Sequence, residues 1–298
     1  MKNKRILGSY TSDKEGPLLF ITAAVHGNEP SGVMALKAVF SELNKTQPQI
    51  KGTFLGLIAN EEAFKESKRY LDEDLNRTWT NENLENPDDN SNEQQEMLEI
   101  IDIIDDYRKK DFTEIYFIDC HTTSSASLPY ISVQDIGKND TWAQQFPIHI
   151  IRGFSDIVSG TIDGYFSHQG MTGFAVEAGQ HDDKDSAAYH EGCIWIALRE
   201  VCGLDFDHLP EIPAAALTTI HDTPDPKIFE IIHRFGLKDD DNFEMKPGFE
   251  NFQPIKKGEI LATLNGETIK STWDAYIFMP LYQSQGNDGF FIVEPVSE

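Results

Sequence analysis

Three apolar runs in this chain each end on a polar side chain with chemical potential, and no other feature of the sequence restricts the fold as much. Leu18-Leu19-Phe20-Ile21-Thr22-Ala23-Ala24-Val25 runs into His26. Ile115-Tyr116-Phe117-Ile118 runs through Asp119-Cys120 into His121, and Gly173-Phe174-Ala175-Val176 runs into Glu177. Short unbroken apolar runs read as strands buried on both faces, the signature of parallel pairing. Thr53 to Ala59 reads as a further strand of the same kind. The carboxyl ends of parallel strands lie along one edge of a sheet, where ligands bind. The three polar ends therefore converge on one expected pocket.

Helical patterns separate the runs. Val33, Leu36, Lys37, Val39, Phe40 and Leu43 form an imperfect stripe at helical spacing over 31–43. Ser91 and Gln94 resemble a capping box ahead of Met97, Ile100, Ile101, Ile104 and Tyr107, and a third helix is expected over 185–201. Asn60 to Tyr70 reads as a short helix or loop, and Asn81 to Asn92 as a loop. Such alternation predicts an α/β fold with a mainly parallel, mixed sheet flanked by helices.

From about residue 206 the helical pattern fades. Glu211 to Thr223 reads as a strand or extended linker, and Pro247-Gly248, Lys257-Gly258, Asn265-Gly266 and Gly286-Asn287 punctuate short apolar segments. Ile260-Leu261-Ala262-Thr263-Leu264 before Asn265-Gly266 is a hairpin signal. The expected division is an α/β domain at 1–205 and a smaller, β-rich domain at 206–298.

His26 and Glu29 stand three residues apart, between the first run and the first helix. They can make half of a His₂Glu zinc site, and His121 would complete it. A turn histidine bonded to a carbonyl is the plainer reading of either imidazole alone. Asp119 is placed to fix the His121 tautomer. Glu177 reads as a general base that takes a proton from water and returns it to a leaving nitrogen; the competing reading is a salt-bridged structural carboxylate. Arg69-Tyr70-Leu71-Asp72-Glu73-Asp74-Leu75-Asn76-Arg77 supplies two arginines and an asparagine suited to carbonyl polarisation and carboxylate binding. Its acidic residues also fit an ion-paired surface loop. The remaining histidines, His181 among them, read as structural.

The chain of 298 residues carries a formal charge of −25, which argues against a basic face for nucleic acid. An anionic substrate would need a local basic pocket against that field. Three cysteines, Cys120, Cys193 and Cys202, without a paired pattern suggest a reducing compartment. No apolar run approaches the ~18 residues of a membrane span. A cytoplasmic protein without membrane attachment is expected, and a homo-oligomer is compatible with the sequence.

Taken together, His26-Gly27-Asn28-Glu29, Arg69-Tyr70 with Asp74-Leu75-Asn76-Arg77, Asp119-Cys120-His121-Thr122-Thr123 and Val176-Glu177-Ala178-Gly179 resemble, in order and spacing, the aspartoacylase/succinylglutamate desuccinylase family of the zinc-carboxypeptidase-like fold. The resemblance spans 20–180 and, more loosely, the β-rich C-terminus, and implies one Zn²⁺ per chain on His26, Glu29 and His121, with Glu177 as catalytic base. It implies that Arg69 polarises the scissile carbonyl, that Asn76 and Arg77 hold a substrate carboxylate, and that Tyr282 stands near the substrate. The implied reaction is hydrolysis of a small anionic N-acyl amino acid. Aspartoacylases resemble one another in a further arginine shortly before the catalytic glutamate; here Ser167-His168-Gln169 occupies that region and the nearest upstream arginine is Arg152. That departure favours a substrate with a single carboxylate, or one whose second carboxylate is read differently. A metallocarboxypeptidase on the same fold and a non-catalytic metal-binding module are the competing readings.

Overall fold

The computed structural model describes residues 4–154, 157–209, 212–221, 225–238, 240–283 and 288–296. Its centre is a set of parallel strands: β2 (Leu18–Ala23), β3 (Thr53–Ile58), β4 (Ile115–Thr123) and β7 (Thr172–Gln180). Every residue of β2 and β3 is buried, as their unbroken apolar composition requires of interior strands. β1 (Ile6–Thr11) closes one side against β3 in antiparallel pairing. On the other side come β5 (Tyr130–Ser132), β6 (His149–Arg152) and β8 (Ile228–Gly236), then β14 (Asp288–Pro295), β13 (Ala275–Phe278) and β10 (Gln253–Ile255). The resulting eleven-stranded order is β1-β3-β2-β4-β7-β5-β6-β8-β14-β13-β10.

Strand alternation sends β2 side chains to two separate cores. Leu19, Ile21 and Ala23 pack under α1 (Ser31–Thr46) and α7 (Ser186–Cys202). Leu18 and Phe20 face α4 (Asn92–Arg108) and α6 (Ile162–His168). On α1 the buried residues Val33, Leu36, Val39, Phe40 and Leu43 form the expected stripe without Lys37, which is exposed, and Phe40 stacks on Phe54 with ring centroids 4.6 Å apart. At the start of α4 the Ser91 hydroxyl accepts from the Gln94 backbone N–H, as the capping pattern predicts. Gly203 ends α7 at φ 63°, a conformation that costs glycine little.

Two expectations need correction. Asn81 to Asn92 is not loop throughout: α3 (Asn81–Glu85) is a short helix capped by the Thr80 hydroxyl. Ile212–His221, expected as strand or linker, is helix α8, which packs on α7. Its alanine-rich interior favours helix, and Pro213 in the first turn needs no N–H partner. The other ends of that expected segment, Glu211 and 222–223, lie outside the described residues, as does the turn expected at Gly286-Asn287.

Beyond α8 the described chain is β-rich. β9 (Phe243–Met245), β11 (Ile260–Leu264) and β12 (Glu267–Lys270) form a small separate sheet. Asn265 and Gly266 both take positive φ between β11 and β12, the geometry of the predicted tight hairpin. Leu261 and Met245 pack this sheet against Ile255, Ile277 and Ile292 of the large one. We propose the boundary at 205/206 as a division of the chain, testable by limited proteolysis. Among the described residues no helix is long and apolar enough to cross a membrane, and all three cysteines are free and buried.

Candidate active site

The carboxyl ends of β2, β4 and β7 bring the expected residues together. After β2 the backbone turns sharply: Ala24 adopts φ 56°, and Gly27 lies so close to α2 (Glu61–Glu66) that a Cβ would sit 2.2 Å from the Ala63 carbonyl carbon. Only glycine fits that contact. The turn aims His26 and Glu29 back over the sheet end, and the buried β4 carries His121 to meet them. Ligand atoms of His26, Glu29 and His121 all lie within 4.8 Å of one another, and all three side chains are buried.

The hydrogen bonds fix how each group points. His121 Nε2 lies 2.6 Å from Asp119 Oδ2, so this nitrogen donates and Nδ1 is left facing Glu29 Oε2 at 3.3 Å. Asp119 is itself held by the Thr22 hydroxyl at 2.6 Å. His26 Nε2 lies 3.1 Å from Asp74 Oδ1, which turns Nδ1 toward Glu29 Oε1 at 2.8 Å. The Thr122 backbone N–H donates to Glu29 Oε2 at 2.9 Å. Each imidazole thus has carboxylates on both nitrogens, with both Nδ1 atoms converging on one carboxylate.

That arrangement requires positive charge at its centre. Two extra protons would supply it, and so would one divalent cation. Burial alone would push the Glu29 carboxyl up, but His26 and His121 hold it well below the usual carboxylate range. Burial would likewise depress His121, yet Asp119 and Glu29 raise it well above 6.5. Two imidazole nitrogens and one carboxylate oxygen, each ring backed by a second carboxylate, form a donor set that fits zinc.

Glu177 sits directly opposite His121 in the β4–β7 register. Burial pushes its carboxyl up to about 7; Glu29 adds to the shift, while His121, His26 and Arg69 oppose it. Its Oε2 has no hydrogen-bond partner. A half-buried carboxyl whose enclosed Oε2 has no partner, held near neutrality, is equipped to exchange protons.

Arg69 places Nη2 2.9 Å from Asp74 Oδ2 and Nη1 3.9 Å from Glu29 Oε1. Asn76 Oδ1 accepts from the Ile162 N–H at 3.0 Å, while Arg77 Nη1 donates to the Asn76 carbonyl at 2.7 Å. All three line a cavity of about 420 Å³ that also contains His26, Glu29, His121 and Glu177. Their loop is pinned from behind by Glu93 in the first turn of α4. This fully buried carboxylate accepts from the backbone N–H groups of Leu71, Asp72 and Glu73 and from Asn60 Nδ2.

Tyr282 is the one expected site residue that does not join the cavity lining. Its hydroxyl accepts from the Phe249 N–H and donates to the Lys246 carbonyl, both at 2.9 Å, which ties it to the small sheet. Its neighbours Leu281 and Gln283 line the cavity instead.

Other residues of the site escape a reading of the sequence. Asp74 bridges His26 and Arg69; its position two residues before Asn76 was the available signal. His181, read as structural, bonds Thr122 Oγ1 through Nδ1 at 2.8 Å and leaves a buried Nε2 on the cavity wall without a partner. Tyr130 and Asp163 also line the cavity, and no local pattern marks either. Arg152 is engaged by Asp140 through two contacts of 2.7 and 2.8 Å. Among the described residues, Arg69 and Arg77 are the arginines of the cavity.

Comparison with known proteins finds similar chains and folds. The family model of the succinylglutamate desuccinylase/aspartoacylase catalytic domain matches residues 15–189, more than half of the chain. An N-acyl-aromatic-L-amino acid amidohydrolase (carboxylate-forming) of Xenopus tropicalis is 27% identical over 274 residues, covering 83% of this chain and 84% of the relative. Murine aminoacylase 3 superposes with a TM-score of 0.64 at 17% identity, over 96% of this chain and 97% of the other. Succinylglutamate desuccinylase of Vibrio cholerae gives 0.65 at 16% identity, over 95% and 82%.

Proposed function

The chain belongs to the succinylglutamate desuccinylase/aspartoacylase family, and on that premise we propose that it is a zinc-dependent deacylase that hydrolyses an N-acyl amino acid bearing a single carboxylate. The observation that carries the reading is the convergence of His26, Glu29 and His121 beside Glu177, which faces His121 across adjacent strands. The name of the Xenopus relative supports the reaction class.

His26, Glu29 and His121 would hold the ion. A zinc ion in such a site supplies Lewis acidity that makes water nucleophilic near neutral pH. Glu177 accepts the proton of the attacking water, and the new C–O bond forms as the carbonyl π pair moves onto oxygen. Arg69, on the Glu29 flank, stabilises that oxygen. The C–N bond then breaks, and Glu177 returns its proton to the departing nitrogen. Arg77 and the Asn76 amide nitrogen orient the substrate carboxylate, a local basic patch in a strongly acidic molecule.

The single-carboxylate preference rests on α6. Ser167 is buried against Asn139, and His168 bonds the Gly164 carbonyl. The α6 residue that does line the cavity is Asp163, an acid. Beyond it Phe154, Val158, Met279, Leu281 and Phe291 line the wall together with a second acid, Asp288, and the uncharged Ser132, Gln134 and Gln283. A second carboxylate would meet repulsion and apolar surface. The test is amine release by the zinc-loaded protein from N-acetyl-phenylalanine, N-acetyl-leucine, N-acetyl-aspartate, N-succinyl-glutamate and short peptides. We expect kcat/KM for the single-carboxylate acyl amino acids to exceed that for N-acetyl-aspartate at least about tenfold, one unfavourable charge contact being worth that much. Cleavage of peptides alone would move the reading to a carboxypeptidase, and hydrolysis of none would end it.

A further inference from the structure

One row of side chains crosses the site on a single face of the sheet. His121 on β4 is registered with Glu177 on β7, and Glu177 with Tyr130 on β5. Directly opposed residues share a face, so the row runs on past the catalytic glutamate to a tyrosine. The Tyr130 ring is fully buried and packs edge-on against Phe278 and Phe252, with centroids at 5.0 and 5.5 Å. Its hydroxyl nevertheless has no hydrogen-bond partner, and the residue lines the cavity. Buried tyrosine hydroxyls are normally paired. A rigid ring that holds an unpaired donor beside the unpaired Glu177 oxygen is poised for a group that arrives with the substrate.

We propose that Tyr130 is a catalytic residue whose hydroxyl donates a hydrogen bond to an oxygen of the reacting acyl group. The assignment rests on the deacylase reading. Addition of water to the amide gives the acyl carbon two oxygens. Arg69 approaches from the Glu29 flank and Tyr130 from the opposite flank, beyond Glu177, so each donor can hold one of them. No proton leaves the phenol; burial together with the charges of Glu177 and Glu29 raises it well above 10, and it stays a donor throughout the working range.

A structural role and a catalytic role predict opposite effects of deleting this one atom. Tyr130→Phe keeps the ring packing and removes a hydroxyl that has nothing to bond in the free protein. Its Tm is expected to equal or exceed that of the wild type. Its kcat for the best N-acyl amino acid is expected to fall about 10- to 1000-fold, the range for loss of one oxyanion donor, with KM changed less than about threefold. Activity within twofold of wild type, or a Tm lowered along with activity, overturns the proposal. A second arm needs no turnover: acetohydroxamate, whose paired oxygens resemble the acid product, is titrated into the zinc-loaded wild type and Tyr130→Phe. Affinity at least tenfold weaker in the variant supports the assignment, and equal affinity overturns it. A wild type that binds this probe but hydrolyses no acyl amino acid would count against the deacylase reading, with the binding arm still deciding on Tyr130.

Discussion

Replacing Asp119 by alanine should weaken zinc binding without touching a ligand. Asp119 is 1% exposed and contacts two groups, His121 Nε2 through Oδ2 and the Thr22 hydroxyl through Oδ1, each at 2.6 Å. The first contact fixes the tautomer that turns Nδ1 toward Glu29 and raises the basicity of the ring. Loss of such a carboxylate behind a ligating histidine costs about 10- to 100-fold in metal affinity. That is about 1.4–2.7 kcal/mol of binding free energy, at 1.4 kcal/mol per factor of ten. The metal-free protein also loses stability, because His121 Nε2 and Thr22 Oγ1 are left buried without an acceptor, at about 1–3 kcal/mol each. Asp119→Asn keeps one acceptor oxygen and loses the charge, so it should fall between alanine and wild type. The assay is zinc competition against a chromophoric chelator at pH 7.5, with Tm recorded for the metal-free proteins. Zinc affinity of Asp119→Ala within twofold of wild type would refute the reasoning, since His121 would then not be a ligand oriented through its far nitrogen.

Four further outcomes follow from the same geometry. Glu177→Gln should retain zinc and lose about 10²–10⁴ in kcat. In the wild type, kcat/KM should fall toward acid as Glu177 gains its proton, with a limb at or below pH about 7, because a nearby dication only lowers that value; a limb above pH 7.5 would exclude Glu177 as the base. Removal of zinc should leave His121 protonated between Asp119 and Glu29. Its pKa is raised in the fold, so its contribution to stability is complete below about 6.5 and is lost as pH climbs through the higher folded value. Zinc binding at pH 7 should therefore release protons, read by calorimetry in buffers of different ionisation enthalpy; zero release would contradict the placement. Arg77→Ala should raise KM about 10- to 100-fold with a smaller change in kcat, matching one charged hydrogen-bonded contact to the carboxylate. An unchanged KM would remove Arg77 from substrate binding.

The parts of this molecule visible in its sequence are those set by local pattern. β2, β3, β4 and β7 are unbroken apolar runs because both their faces are covered. His26, His121 and Glu177 stand out because each interrupts such a run. The stripes of α1 and α4 and the Asn265-Gly266 hairpin are equally local. What stayed hidden depends on contacts between distant segments. β5 and β6 are short, and Tyr130 gains its meaning from its register with Glu177, which no spacing along the chain encodes. Asp74 reads as surface charge until Glu93, from another helix, folds its loop inward. Tyr282 carries the right residue type near the right segment, but its hydroxyl is drawn to the Phe249 and Lys246 backbone. α8, expected as strand or linker, is helical by its alanines and by its packing on α7, a contact between segments that the local pattern does not show.

The most direct test of the central claim is an anomalous-scattering map of zinc-loaded crystals, collected on either side of the zinc edge. The account predicts a zinc peak at about 2.0–2.2 Å from Nδ1 of His26, Nδ1 of His121 and a Glu29 oxygen, with Glu177 near but not coordinating. A map with no peak there, or a zinc ion bound through other residues while the two imidazoles keep their carboxylate partners, would contradict it.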